Sequence, residues 1–220
     1  MAKSKRKILE DAVCDLLATR LAAEGYDFHR DPEMSLFTKQ AGGATCKLAF
    51  HLWGSSPYHF QDSVWIVHDD YAAILRDLIA DTPMRGADIA FGGPSDHVAN
   101  HWAEPDPRTV SSVHGVAPFA DAFLRALHRA TETFLLPNAD PAKVADDCTL
   151  FYTKWPRGMG PIKTAFHLIA HGLARGDRPT IQLGADRITH RIDFCRMPHE
   201  RDVALAIRDA AMARLASLPS

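Results

Sequence analysis

The sequence predicts an α+β fold, in which a helix-covered antiparallel sheet of about four strands is followed by a mainly helical half. An amphipathic segment opens the chain, several short segments with a period of two follow it, and the later segments return to a helical period. The 220 residues, of which 46% are hydrophobic, are enough to build one sizeable core. We therefore expect a single domain over residues 1–220.

The first helix is predicted within KSKRKILEDAVCDLLATRLAAEG, at residues 3–25. Its hydrophobic side chains recur at the spacing of one helix face. That predicted stripe consists of Ile8, Val13, Leu16, Leu17 and Leu21. Gly25 stands where a glycine commonly ends a helix.

The chain then changes to the period of a β-strand. In ATCKLAFHLWG, the residues Cys46, Leu48, Phe50 and Leu52 alternate with others that are mostly more polar, as in a half-buried strand. Shorter strand candidates are YDFHR, MSLFTKQ and DSVWIVH, and the turn-forming stretches DPE, AGG and GSSP separate the four. Such short links predict an antiparallel meander with a helix on one face.

The rest of the chain is predicted to be mainly helical. Helical spacing resumes in DDYAAILRDLIADTP and recurs in VAPFADAFLRALHRATETFLL, NADPAKVADDC, IKTAFHLIAHGLARG and ERDVALAIRDAAMARLASL. Residues 84–116 are rich in Gly, Pro, Ser and Asp, which predicts an irregular connection. If the chain is subdivided, we expect the two parts to be residues 1–83 and 117–220. Residues 149–155 and 180–194 fit both a strand and a helix, and Gly184 favours a strand or a turn for the second.

This order of elements resembles that of uncharacterised bacterial proteins that contain a domain of unknown function. The matching features are the long first helix, the EGYDFHR segment, the strand meander, and HWAEPDPRTV leading into APFADAF. They cover about the first two-thirds of the chain. The resemblance implies an α+β fold and supplies no catalytic residues.

Composition argues against several classes of function. The formal net charge of −2 provides no strong field to attract nucleic acid or an acidic membrane. No apolar run approaches the roughly 20 residues that span a bilayer. The four cysteines lie far apart without a CxxC pair, so we expect reduced, buried side chains instead of a zinc site. These features predict a cytoplasmic protein with no nucleic-acid or membrane partner.

The segment RGMGPIKTAFHLIAHG contains glycines before Lys163 and Thr164, as a phosphate-binding loop does. Such a loop places glycine six residues before its lysine and immediately before it, whereas those positions here hold Arg157 and Ile162. Pro161 also lacks an N–H donor and suits the first position of a helix. The segment is therefore interpreted as a loop and a helix start, where Arg157 and Lys163 could hold an anion.

Four basic or ionisable side chains follow one edge of the helix after Pro161. Lys163, His167, His171 and Arg175 recur every four residues, which puts neighbours roughly 6 Å apart. A metalloprotease motif would need a glutamate between the histidines, and the intervening residues are Leu, Ile and Ala. We interpret this basic edge as partly solvated, with a role in binding an anionic ligand as the functional alternative.

A second histidine pair lies in GGPSDHVANHWAEPD. His97, His101 and Glu104 are residue types that bind a divalent metal, and a short helix would place them on one face. In an extended segment the histidines would lie about 13 Å apart, too far for one ion. The competing interpretation is a polar loop.

A predicted strand connection is flanked by aromatic and histidine side chains, which are His51, Trp53, Tyr58 and His59. Either an exposed aromatic ring serves recognition here, or the turn is packed by its own aromatic side chains.

No motif in the sequence combines a nucleophile, a base and an orienting group. The leading hypothesis is therefore a non-catalytic binding or regulatory protein with a protein partner or a small ligand, and with no predicted cofactor. One alternative is a metal-dependent hydrolase that uses a divalent ion at His97, His101 and Glu104. Another is a small-anion or ligand binder that uses Arg157, Lys163, His167 and His171.

Overall fold

The computed structural model confirms the α+β fold. It describes residues 4–30, 35–85, 91–94, 109–150, 161–195 and 198–218, with the side chains of 60–65, 91–94, 150, 161 and 194 left out. The helices are α1 (Lys5–Ala22), α2 (Asp69–Leu78), α3 (Val116–Ala130), α4 (Pro141–Leu150), α5 (Pro161–Arg175), α6 (Arg178–Arg191) and α7 (Pro198–Ser217). The strands are β1 (Asp27–Arg30), β2 (Ser35–Ala41), β3 (Ala44–Trp53), β4 (Tyr58–His68), β5 (Phe91–Pro94) and β6 (Thr109–Val110).

The chain divides into two compact units, each built from two segments. Unit 1 comprises Met1–Trp65 and Gly93–Pro137, and it contains most of the sheet with α1 and α3. Unit 2 comprises Ile66–Gly92 and Asn138–Ser220, and it contains α2 and α4 to α7. The chain thus enters unit 2 for the second time at Asn138.

The sheet has the strand order β1-β2-β3-β4-β5, and β6 pairs with β4. β1 pairs antiparallel with β2, and β2 with β3, in a register that places Phe37 beside Phe28 on one side and Leu48 on the other. The four predicted strands are therefore confirmed. β5 and β6 lie within 84–116, where the sequence indicates no regular structure, because two to four residues are too few to show an alternating pattern.

One face of the sheet is covered by α1 and α3. The alternating residues of β3 predicted to point inward are buried, and Phe50 makes edge-on ring contacts with Phe119 and Phe123 of α3 at 6.2 and 5.4 Å between centroids. From α1, the buried Glu10 carboxylate accepts a hydrogen bond from the Leu52 backbone N–H at 2.8 Å. This bond satisfies a buried polar group that would otherwise be costly.

Helix α1 begins and ends with recognisable caps. The Ser4 hydroxyl accepts from the Lys7 N–H at 3.3 Å. At the other end Gly25 has a φ of 84°, and the Tyr26 N–H reaches the Leu21 carbonyl at 3.0 Å, as in a Schellman motif. The predicted stripe is wrong at Ile8, which is 48% exposed, because the buried face of α1 starts at Leu9 instead.

Residues 178–191 form α6, so the preference for a strand or turn near Gly184 is wrong. A Cβ at Gly184 would lie 2.7 Å from the Ile169 Cγ1 and 2.9 Å from the Ala165 carbonyl oxygen, both in α5. From the α5 side, a Cβ at Gly172 would lie 2.7 Å from the Ile181 Cγ1. Both glycines let the two helices approach closely, so helix packing outweighs the low helix propensity of glycine.

We expect Gly184→Ala to destabilise the protein by about 1–3 kcal/mol, since the added methyl group overpacks the α5–α6 contact. Gly115→Ala is the matched control, because its Cβ would meet Val110 at an ordinary 3.6 Å. The control should change stability by less than about 1 kcal/mol. Urea unfolding of the three proteins measures both effects, and equal stabilities would contradict the close-packing interpretation.

Candidate functional site

The site residues predicted from sequence fall into two groups. Arg157, His97, His101 and Glu104 lie outside the described residues, so their metal-binding and anion-binding roles stay predictions. Lys163, His167, His171 and Arg175 lie on α5, where Lys163 is half-buried and Arg175 is exposed.

The expectation of a solvated basic edge is wrong for its two histidines. His167 is 4% exposed and His171 is 7% exposed. The physical reason is the position of α5, which packs against α2, α4, α6 and α7 and is buried without interruption over residues 164–172. A helix enclosed on all sides buries its polar edge together with its apolar stripe.

The two histidines of α5 belong to a cluster of four ring side chains in unit 2. We call His68, Tyr71, His167 and His171 the imidazole cluster. The His167 ring centroid lies 5.1 Å from that of His68 and 5.0 Å from that of Tyr71. Tyr71 also lies 5.9 Å from each of the other two rings. His68 is the last residue of β4 and Tyr71 lies in the first turn of α2, so helix packing assembles the cluster from distant parts of the sequence.

Two members of the cluster donate hydrogen bonds to one short chain segment. The Nε2 of His68 lies 2.9 Å from the Asn138 carbonyl oxygen, and the Nε2 of His167 lies 2.8 Å from the Pro141 carbonyl oxygen. A carbonyl oxygen only accepts, so each ring carries a hydrogen on Nε2. Residues 138–141 are thereby held at both ends where the chain enters α4.

The remaining pair joins α2 to α5. The Tyr71 hydroxyl lies 2.6 Å from the Nδ1 of His171. Burial raises the pKa of the Tyr71 phenol, and burial followed by the charge of Arg175 lowers the pKa of His171. At neutral pH the phenol is therefore the donor and the imidazole the acceptor, which assigns the hydrogen of His171 to Nε2.

Burial keeps the cluster neutral. Burial lowers the pKa of His167 to about 3, with further lowering from His68 and His171 and an opposing contribution from its bond to Pro141. Burial likewise lowers the pKa of His68, against the opposing hydrogen bond to Asn138. A general acid or base works best with a pKa near the operating pH. His167 is thus poorly suited to proton transfer near neutrality.

Carboxylates of other elements surround the cluster, which the sequence of α5 alone does not show. Asp69 and Asp140 favour the protonated form of His68, and Asp140, Asp146 and Asp177 favour that of His171. Even so, among the described residues no group of three or more His, Cys, Asp or Glu side chains is arranged to hold a metal ion.

The cysteines are free thiols. Three of them are buried as expected, whereas Cys195 is only half-buried. Burial raises the pKa of Cys14 to about 11 and that of Cys148 to about 12. The Cys14 thiol also contacts the Ser35 hydroxyl at 3.1 Å. Because the thiolate is the nucleophile, such raised values make these thiols poorly reactive.

Unit 1 presents an aromatic side chain to solvent. Trp53 is 50% exposed, and its ring lies 5.7 Å from that of His59, which follows the strand connection. Because Leu52 is buried on the helix-covered face, Trp53 points to the opposite face of β3. We call this the outer sheet face, and its strand register places His29, Thr38, Lys47, His51 and Trp53 on it.

No protein-family model, curated protein or solved structure matches the chain. Within the part of the chain that the structure describes, no helix is long and apolar enough to cross a membrane.

We expect His167→Ala to lower the free energy of unfolding by about 2–4 kcal/mol, since it removes buried packing and a partner of the Pro141 carbonyl. His190→Ala is the matched control, because the His190 ring also bonds a backbone carbonyl, that of Asp186, but is exposed. The control should cost less than about 1 kcal/mol. Urea unfolding near neutral pH distinguishes them, and a loss for His167→Ala as small as the control's would show that the cluster contributes little stability.

Proposed function

We propose that the protein is a non-catalytic binding or regulatory protein that recognises a partner protein through the outer sheet face around Trp53. The observation that carries this proposal is the half-exposed indole of Trp53, on the face of the sheet that α1 and α3 leave uncovered. Tryptophan is enriched among the residues that contribute most to protein–protein affinity.

The surroundings of Trp53 support a recognition role. His51 lies two residues before Trp53 on the same face, and the His59 ring lies 5.7 Å from the indole, so polar side chains border it. An apolar or aromatic centre with a polar rim is the usual organisation of a protein–protein interface. The indole supplies a large contact area at a small cost in conformational entropy, because it has only two side-chain torsions.

The chemistry of the imidazole cluster argues against proton transfer by its histidines. His68 and His167 use their Nε2–H groups to hold backbone carbonyls, and burial lowers both pKa values. Their visible role is to hold chain segments together. The same burial weakens the anion-binding alternative on α5, because His167 and His171 are enclosed and hydrogen-bonded within unit 2.

A photoreactive amino acid in place of His51 tests this proposal inside the cell. We expect a discrete cross-linked product that disappears when Trp53→Ala is combined with the probe. The same probe in place of Val113, which is 64% exposed and also belongs to unit 1, should not give that product. The captured protein is then identified by mass spectrometry and produced for titration.

In that titration Trp53→Ala should weaken binding by at least about tenfold, as expected for an aromatic anchor. The variant should fold normally and lose less than about 1 kcal/mol of stability, because Trp53 is half-exposed. The Val113→Ala variant should bind like the unmodified protein. Equal affinity of the Trp53 variant and the unmodified protein, or absence of any specific product, would refute the proposal.

A further inference from the structure

Two imidazoles from distant elements hold the same four-residue segment. His68, next to α2, donates to the Asn138 carbonyl, and His167, in α5, donates to the Pro141 carbonyl. Asn138 is where the chain enters unit 2 for the second time, and Pro141 is the first residue of α4. The position of this segment on unit 2 therefore depends on two rings whose centroids lie only 5.1 Å apart.

Protonation of these rings conflicts with their surroundings. His68 is 3% exposed and His167 is 4% exposed, so an imidazolium at either position loses its hydration. Two such charges would lie about 5 Å apart, where repulsion is considerable in a medium less polar than water. Opening of the segment would expose the rings to water and relieve both penalties.

The charged groups around the cluster oppose one another. Asp69 of α2 and Asp140 of the held segment favour protonation of His68, whereas His68 and His171 disfavour protonation of His167. Around His171, Arg175 of α5 disfavours the charge. The carboxylates that favour it are Asp140, Asp146 of α4 and Asp177 before α6. Burial is the largest contribution for both His68 and His167. It outweighs the carboxylates near His68 and the hydrogen bonds to Asn138 and Pro141, which also favour the protonated rings, so both pKa values remain lowered.

We propose that His68 and His167 form an acid-sensitive clasp, which holds residues 138–141 on unit 2 while both imidazoles are neutral and releases them when the rings become protonated. The clasp makes the N-terminal end of α4 the part of unit 2 that responds to pH. It does not involve Trp53, so its test stands independently of the proposed partner binding.

The direction of the pH effect follows from the lowered pKa values of the closed state. In the open segment a histidine has its ordinary pKa of about 6.5, so the closed state is fully favoured above that pH. As the pH falls below it, the open state binds protons that the closed state does not. Opening should then become more favourable by up to about tenfold per pH unit for each imidazole protonated on opening.

Hydrogen exchange measured by mass spectrometry on peptides covering residues 138–150 tests the clasp. After correction for intrinsic exchange rates, we expect their protection to fall at least about tenfold between about pH 7 and pH 5. Peptides from α1 in unit 1 should change much less. Carboxylates ordinarily titrate at about pH 4, so this window separates imidazole protonation from general acid unfolding. Constant protection in residues 138–150 would overturn the proposal.

His167→Gln tests which group is responsible, since a glutamine amide can still donate to the Pro141 carbonyl but takes up no proton. Relative to the unmodified protein, we expect the pH-dependent loss of protection to shrink by about tenfold. His190→Gln, at an exposed position, should keep the full dependence. A His167→Gln protein with the unmodified pH dependence would refute the role of His167.

His68→Gln and a direct titration keep the proposal testable if His167→Gln does not fold. The His68 variant should lose a comparable part of the pH dependence. In the unmodified protein, the NMR shifts of the His167 ring should show no protonation of the closed state between about pH 7 and pH 5. Protonation of that ring above about pH 6 without loss of protection at residues 138–150 would overturn the clasp.

Discussion

Enclosure of residues 164–172 of α5 is the constraint on which unit 2 depends. A central helix contacts several neighbours at once, so every side chain on it must either pack or find a polar partner. The apolar residues Ala165 and Ile169 face α6, which approaches closely because Gly184 adds no side chain between the helices. His167 reaches a hydrogen-bond partner at the start of α4, and His171 reaches one in α2. An enclosed helix therefore requires both kinds of residue: glycine permits close helix packing, and the buried histidines form hydrogen bonds.

Local periodicity was enough to predict much of the fold. β3 alternates between buried and more exposed residues except at Ala49, which is also buried, and α1 shows helical spacing between recognisable capping residues. Both signals are contained within one element, so no knowledge of the partner element is required. Where the element was too short for a period, as in the two-residue β6, the sequence provided no comparable signal.

The candidate site is harder to predict because the burial and hydrogen bonding of its residues depend on neighbours that are distant in sequence. The spacing of His167 and His171 correctly places them on one edge of α5, but it cannot show that Tyr71 and Pro141 cover that edge. Gly184 presents the same difficulty. Its low helix propensity is a property of the residue itself, whereas the close approach to Ile169 depends on another helix. One signal is present in the sequence: the three residues between the two histidines cover the rest of the helix turn and are all hydrophobic, as is typical of a helix enclosed by its neighbours.

Burial determines what the imidazole cluster can do. A histidine at the surface changes charge near neutrality at little cost to the fold, and this property makes it useful for proton transfer. Enclosure of His167 removes that property by holding the ring neutral well below its ordinary pKa. The pKa of the ring nevertheless differs between the enclosed and the open conformation, and this difference makes the free energy of opening depend on pH. The same desolvation that makes His167 a poor general base therefore links the position of residues 138–141 to proton uptake, because the Pro141 carbonyl is the group that its Nε2–H holds.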